Sequence, residues 1–177
     1  MKPNHALEKS ITGSMLEKIL TYDPDTGIFR MAKTRGGAIA GSVTGRTRPD
    51  GYVQVKINER WFLAQRLAWV WMYGEWPKDG MTPDHIDRDK GNNRITNLRL
   101  ATSIQNAANS SLKKNNKSGY SGVFYLVRKD GRSPRWLAYI RVEGKRKRLG
   151  FFKTKEEAIE ARRIAAETIH GKYASHT

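Results

Sequence analysis

The sequence predicts an α+β fold in two parts, and three observations carry that prediction. Apolar alternation over residues 52–57, turned back at Asn58 and Glu59, is followed by a helical pattern over 64–73 that stops at Gly74. A polar stretch rich in Asp, Asn and Gly then separates two short strand-like segments and leads into a helix start at Thr102 or Ser103. After a basic run at 113–119 without apolar periodicity, the pattern changes to three short strands and one capped helix. At 177 residues there is room for two small domains, and 38% hydrophobic with 10% aromatic residues supports packed cores.

Taken in order, Ser14 and Glu17 have the spacing of a capping box, and Leu16, Ile19 and Leu20 give the helical period behind them. Residues 22–27 read as a turn and 28–31 as a short strand. The Gly-, Arg- and Thr-rich stretch 32–50 reads equally as a basic loop that tracks a DNA backbone or as a flexible one. The hairpin over 52–63 puts Val53, Val55 and Ile57 on its inner face. In the helix over 64–73, Leu67, Ala68 and Trp71 form the buried stripe, and the aromatics read as core rather than as nucleic-acid stackers. A turn at 76–80 delivers the chain to Asp84, and the helix after Thr102 runs to about Leu112. The first domain is thus expected at 1–112, a linker at 113–119 and a second domain at 120–174.

In the second domain, strands are expected at 122–127, 136–142 and 145–152. Thr154 and Glu157 form a capping box for a helix through Ala158, Ala161, Ala165 and Ile169. One helix covers one face of a three-stranded antiparallel sheet. Trp136, Ala138, Ile140 and Val142 point under it, while Tyr139 and Arg141 join Arg146 and Arg148 on the open face. Residues 113–150 hold twelve Lys or Arg against two Asp or Glu, which favours the open face as a DNA contact over a solvated charged edge.

Thirty-three Lys and Arg against 17 Asp and Glu give +16, a balance that favours a polyanionic partner. Zero cysteines exclude disulfides and Cys-held zinc. No apolar run approaches the roughly 18 residues of a membrane span, and the first residues lack an apolar signal region, so a cytoplasmic protein is expected.

The chemistry concentrates at residues 84–106. Asp84 and His85 end an apolar approach, and Asn106 lies one turn into the following helix. Three elements can therefore aim a carboxylate oxygen, an imidazole and an amide oxygen into one pocket. Hard oxygen ligands suit Mg²⁺ or Mn²⁺ rather than zinc. A histidine that is not a ligand can serve as a base at neutral pH.

Asp84, His85, Asn92, Asn93, Asn97, Leu98, Arg99 and Asn106 together resemble the HNH endonuclease family, in its phage and homing branch. The resemblance implies a ββα-metal core at about 82–112, with one divalent metal on Asp84 and Asn106. His85 would activate water, Asn97 would orient the loop or the His85 ring, and Arg99 would contact DNA. Asn109, one turn beyond Asn106, is a rival ligand. Gln65 stands where the family usually has a histidine before Arg66 and Leu67, which weakens the transfer of whatever that histidine contributes.

Residues 120–174 resemble the AP2 DNA-binding domain. Tyr120, Gly122, Val123, Trp136, Ala138, Ile140, Arg141, Leu149, Gly150, Phe152, Glu156, Glu157 and Ala158 carry the likeness. It implies DNA contacts from Arg141, Arg146 and Arg148, beside Tyr139. Ser121 and Phe124 replace arginines common in the plant members, and Arg148 replaces a tryptophan, so the plant target sequence does not carry over.

The expected function is a metal-dependent DNA endonuclease, using Mg²⁺ or Mn²⁺ on double-stranded DNA. Nicking versus double-strand cleavage and the oligomeric state stay open, a monomer included. The alternatives are a non-catalytic, sequence-specific DNA-binding regulator and an RNA-binding module. The RNA reading ranks lower because the sheet shows no paired aromatics suited to stacking splayed bases.

Overall fold

The computed structural model describes residue 8 and residues 10–109, 116–127 and 133–174. Packing divides the chain into two compact units, Met1–Thr102 and Ser103–Thr177.

The first unit opens with helix α1 (Gly13–Ile19), capped by Thr12, whose hydroxyl accepts from the Met15 N–H at 3.3 Å. The N-cap is therefore two residues before the expected Ser14, without a capping box, and Ser14 instead lies in the first turn, 3.0 Å from the Thr12 hydroxyl. Leu20 also departs from expectation: it leaves the helix in extended conformation and begins β1 (Leu20–Asp23). The reason is burial with period two, since Leu20 and Tyr22 are buried while Thr21 and Asp23 face out. β1 pairs antiparallel with β2 (Ile28–Met31), and the Asp23 carboxylate closes the turn by accepting from the Asp25 N–H at 2.9 Å.

The basic stretch after β2 is tied down rather than loose. Gly41 donates to the Met31 carbonyl at 2.8 Å, and Thr44 to that of Phe29 at 2.9 Å. It then supplies β3 (Arg46–Thr47) to a sheet with β4 (Val53–Ile57) and β5 (Arg60–Leu63), in the order β3-β4-β5. Asn58 and Glu59 turn β4 into β5 with φ of 45° and 64°, the left-handed pair a two-residue hairpin needs.

Helix α2 (Ala64–Tyr73) follows β5 directly and stops at Gly74, whose φ of 75° suits glycine at a left-handed C-cap. Leu67, Ala68 and Val70 are fully buried, with Trp71 packed partly against the same core as Leu16, Leu20, Phe29, Val55 and Phe62. Gln65 and Arg66 are buried as well, which the apolar pattern could not announce. The Arg66 guanidinium forms a two-pronged ion pair with Glu8, at 2.6 and 2.7 Å. β6 (Met81–His85) and β7 (Leu98–Thr102) complete the unit as an antiparallel pair, with Asp84 opposite Arg99 and His85 opposite Leu98.

The second unit begins with α3 (Ser103–Ala108), which the sequence reading placed with the first domain. Residues 110–112, to which that helix was expected to run, lie outside the described residues, as do residues 113–115 of the expected linker. Asn116 and Ser118 form a hydrogen-bonded turn, each donating to the Tyr120 carbonyl, at 3.0 and 2.9 Å. β8 (Val123–Leu126), β9 (Arg135–Val142) and β10 (Lys145–Phe152) make an antiparallel sheet in the order β10-β9-β8. Part of the expected β8–β9 loop, 128–132, is not described. Helix α4 (Lys155–His170) starts with the expected capping box of Thr154 and Glu157. Its buried residues are Ala158, Arg162 and Ala166, the i, i+4, i+8 row that faces the sheet. Arg162 lies in that stripe with its Nε and Nη1 meeting no hydrogen-bond partner among the described residues. Burial lowers its pKa, with the Tyr120 and Tyr139 rings acting weakly the other way.

Gly27 joins the first hairpin to the loop between β6 and β7. It has φ of 73°, and a Cβ there would meet the backbone of Asn93 and Arg94 at 2.5 Å. Gly27→Ala should therefore cost about 2–4 kcal/mol, combining left-handed strain with a backbone clash. Urea unfolding checks this, and an unchanged midpoint would show that hairpin and loop are not held in contact.

Candidate functional site

The loop between β6 and β7 is built by amide and carboxylate side chains. The Asn97 amide donates to Asp87 Oδ1 and to the Asn92 carbonyl, both at 2.9 Å, and its Oδ1 accepts from the Asp87 N–H at 3.1 Å. Asn92 Nδ2 donates to Asp87 Oδ2 at 2.6 Å, and Asp89 accepts from the Gly91 N–H at 2.9 Å. Burial works against the Asp87 carboxylate, but donors from Asn97, Asn92 and the Asp89 N–H outweigh it and lower its pKa. The Asn97 side chain bonds to Asp87 and Asn92 of the loop.

The imidazole of His85 is held by a different amide. His85 is 4% exposed, and its Nε2 lies 3.2 Å from Oδ1 of Asn93, itself 2% exposed. Asn93 Nδ2 donates to the Gly91 carbonyl at 3.0 Å, so a flipped amide would set carbonyl against carbonyl. Oδ1 therefore faces His85, and Nε2 must carry the hydrogen, which puts the lone pair of the neutral ring on Nδ1. Burial lowers the His85 pKa; the Asn93 contact and the Asp87 and Asp84 carboxylates oppose this without cancelling it. Burial thus favours the neutral ring. Asn93 is anchored from behind, its carbonyl accepting from the buried Tyr22 hydroxyl at 2.7 Å.

Asp84, 6% exposed, receives Nε and Nη2 of Arg99 on Oδ2, each at 3.2 Å. Arg99, expected at DNA, is in this unit the counter-ion of the expected metal ligand. Tyr52 stands beside the histidine with ring centroids 6.0 Å apart, and Lys90 lies 4.8 Å over the Tyr52 ring while donating to the Asp50 carbonyl at 3.0 Å. Gln65 is buried on α2, and its Oε1 has no hydrogen-bond partner among the described residues.

Asn106 and its rival Asn109 belong to the second unit: Asn106 is half-buried on α3, and Asn109 is buried just past it, its N–H on the Gln105 carbonyl at 3.1 Å. Among the described residues no group of three or more His, Cys, Asp or Glu could hold a metal ion. The donors that remain, the Asp84 carboxylate and the asparagine amides, are hard oxygen ligands and fit Mg²⁺ or Mn²⁺ in kind.

The expected DNA residues of the second unit share one face. Arg141 pairs with Arg146 and Arg148 with Tyr139 across β9 and β10, and all three arginines are exposed. The expectation of no paired aromatics on this sheet is corrected. Phe124 of β8 stacks on Tyr139 of β9, with centroids 5.1 Å apart and planes 4° from parallel. The signal was present in the alternation of β8, which sends Val123 inward and Phe124 outward. No comparable signal marked Tyr22, 71 residues from Asn93, or Tyr52 as neighbours of the site.

Residues 62–108 match the family model described as HNH endonuclease. The matched stretch contains the end of β5, α2, β6, the loop, β7 and α3, while Tyr22, which donates a hydrogen bond to the loop, and Pro24, which accepts one from it, lie outside. This supports an HNH endonuclease, and with it a nuclease acting on DNA. No curated protein and no solved structure matches the chain. Among the described residues no helix is long and apolar enough to cross a membrane.

The Asn93 geometry makes a spectroscopic prediction. The ring-nitrogen shifts of neutral His85, read by heteronuclear NMR, should be those of the Nε2–H tautomer. A dominant Nδ1–H form would contradict the assigned amide orientation.

Proposed function

We propose that this protein is a divalent-metal-dependent endonuclease that hydrolyses DNA phosphodiester bonds, with His85 as general base. The observation that carries the reading is a buried His85, fixed through Nε2 by Asn93 and next to Asp84 in the chain, inside the stretch matched to the HNH family. Nδ1 of His85 takes a proton from water as the water oxygen attacks phosphorus in line, and the bond to the 3′ oxygen breaks. Asn93 keeps the lone pair on the attacking side, and Asn97 keeps closed the loop that carries Asn93. A divalent metal held by Asp84 would supply Lewis-acid stabilisation of the charge developing on the phosphate. Lys90 and Arg99 add fixed positive charge near the same end of β6.

The second unit is the DNA-targeting module in this reading, as its likeness to the AP2 domain suggests. Its open face, with Arg141, Arg146, Arg148 and Tyr139, supplies phosphate and base contacts. A phage or homing type of enzyme acting in the cytoplasm goes with the resemblance.

Conversion of supercoiled plasmid or phage genomic DNA with Mg²⁺, Mn²⁺ or EDTA tests the reading. His85→Ala should lower the cleavage rate by about 10²- to 10⁴-fold while leaving DNA affinity nearly unchanged. A proportionate loss of binding would remove His85 from the chemistry. Salt-sensitive binding with no cleavage under any metal would point to the regulator instead. Arg146→Ala and Arg148→Ala should each weaken binding and lower the salt slope by about one unit. A slope unchanged in both would take them out of the interface.

A further inference from the structure

The open face of the second unit's sheet is divided across its strands. Toward β8 it is largely apolar, with Phe124 41% and Leu126 39% exposed, Leu137 opposite Phe124 and Arg135 opposite Leu126. Toward β10 it is cationic, with Arg141, Arg146 and Arg148 exposed. A ladder joins the halves: Phe124 stacks on Tyr139, and the Arg146 guanidinium lies 4.9 Å from the Tyr139 ring. Past the bulge between Arg148 and Gly150, Phe151 is 40% exposed, with Arg148 5.2 Å from its ring.

The apolar half is not demanded by the core. Val123, Ala138 and Ala158 close the opposite face with Trp136, Leu149 and Phe152, so Phe124 and Leu126 stay in water in the isolated chain. Arginines on a groove-binding face neutralise phosphates or take guanine acceptors, but a phenyl ring has no hydrogen bond to offer a base edge. In the major groove the one apolar group that a base pair presents is the C5-methyl of thymine. Because Phe124 and Tyr139 are already stacked, little side-chain freedom is lost when they meet it.

We propose that the Phe124–Tyr139 pair reads thymine methyl groups in the major groove of duplex DNA, beside the positions contacted by the arginines. This rests on the reading of the second unit as a DNA-binding module. It makes Phe124 a specificity-determining residue and gives the face a means of preferring DNA over RNA, whose uracil lacks that methyl.

The test uses the full chain in EDTA, so that bound DNA is not cut. Duplexes retained from a random pool made with dTTP are sequenced and then copied with dUTP in its place. Wild type should retain thymine-containing duplexes and bind their uracil copies about fourfold more weakly for each methyl touched. Phe124→Ala should bind both copies alike, whereas Phe124→Leu should keep part of the preference. Equal binding of both copies by wild type would overturn the proposal. If Arg146→Ala still weakened that binding, the DNA-binding reading would survive. Failure to retain any duplex would remove that reading and the proposal with it.

Discussion

Asn93 is where the first unit converges. Its amide nitrogen is committed to the Gly91 carbonyl, its amide oxygen faces His85, and its own carbonyl is held by Tyr22. Few side chains could replace it: an aspartate would lose the donor, and an apolar residue would leave Nε2–H buried without an acceptor, at a cost of about 1–3 kcal/mol. The hairpin of β1 and β2 packs against the same backbone through Gly27. A segment far from the chemistry in sequence therefore helps fix where a proton sits.

The electrostatics of the site follow from burial rather than from the net charge of the chain. A chain of +16 could be expected to hold histidine neutral by repulsion alone. Near His85, however, the carboxylates of Asp87, Asp84 and Asp89 favour the imidazolium, and desolvation overrides them. The Arg99 guanidinium is set against the buried Asp84 carboxylate at 3.2 Å. The positive surplus is displayed instead on the sheet of the second unit, where it meets water and long-range partners.

Much of this was legible in the residues. Alternation and a stopping glycine gave β4, β5 and α2 nearly to the residue, and Thr154 with Glu157 marked the start of α4. Asp84, His85 and Asn97 were singled out by type and spacing. What escaped has a common cause. The Thr12 cap and the switch of Leu20 into a strand depend on which alternative buries more apolar surface. The burial of Gln65, Arg66 and Arg162 depends on neighbours that a pattern of apolar residues does not show. The choice of Asn93 over Asn97 for His85 was hidden because both amides lie in one loop, and only the path of that loop decides which oxygen reaches the ring. Phe124 is legible by period two: Val123 faces the core, so its neighbour Phe124 faces out.

The glycines of the first unit differ in how much room surrounds them. Gly27 has no space for a methyl group, whereas at Gly36 and Gly37 nothing lies within 4 Å of where one would go. Gly36 and Gly37 form the tip of a small turn closed by Arg35 and Ala38, beyond the bonds that tie this stretch to β2. Length can therefore drift at that tip with little entropic penalty, while the turn at Gly27 must keep both its length and its glycine. The tip offers a natural point for attaching a dye or a tether that leaves the His85 loop undisturbed.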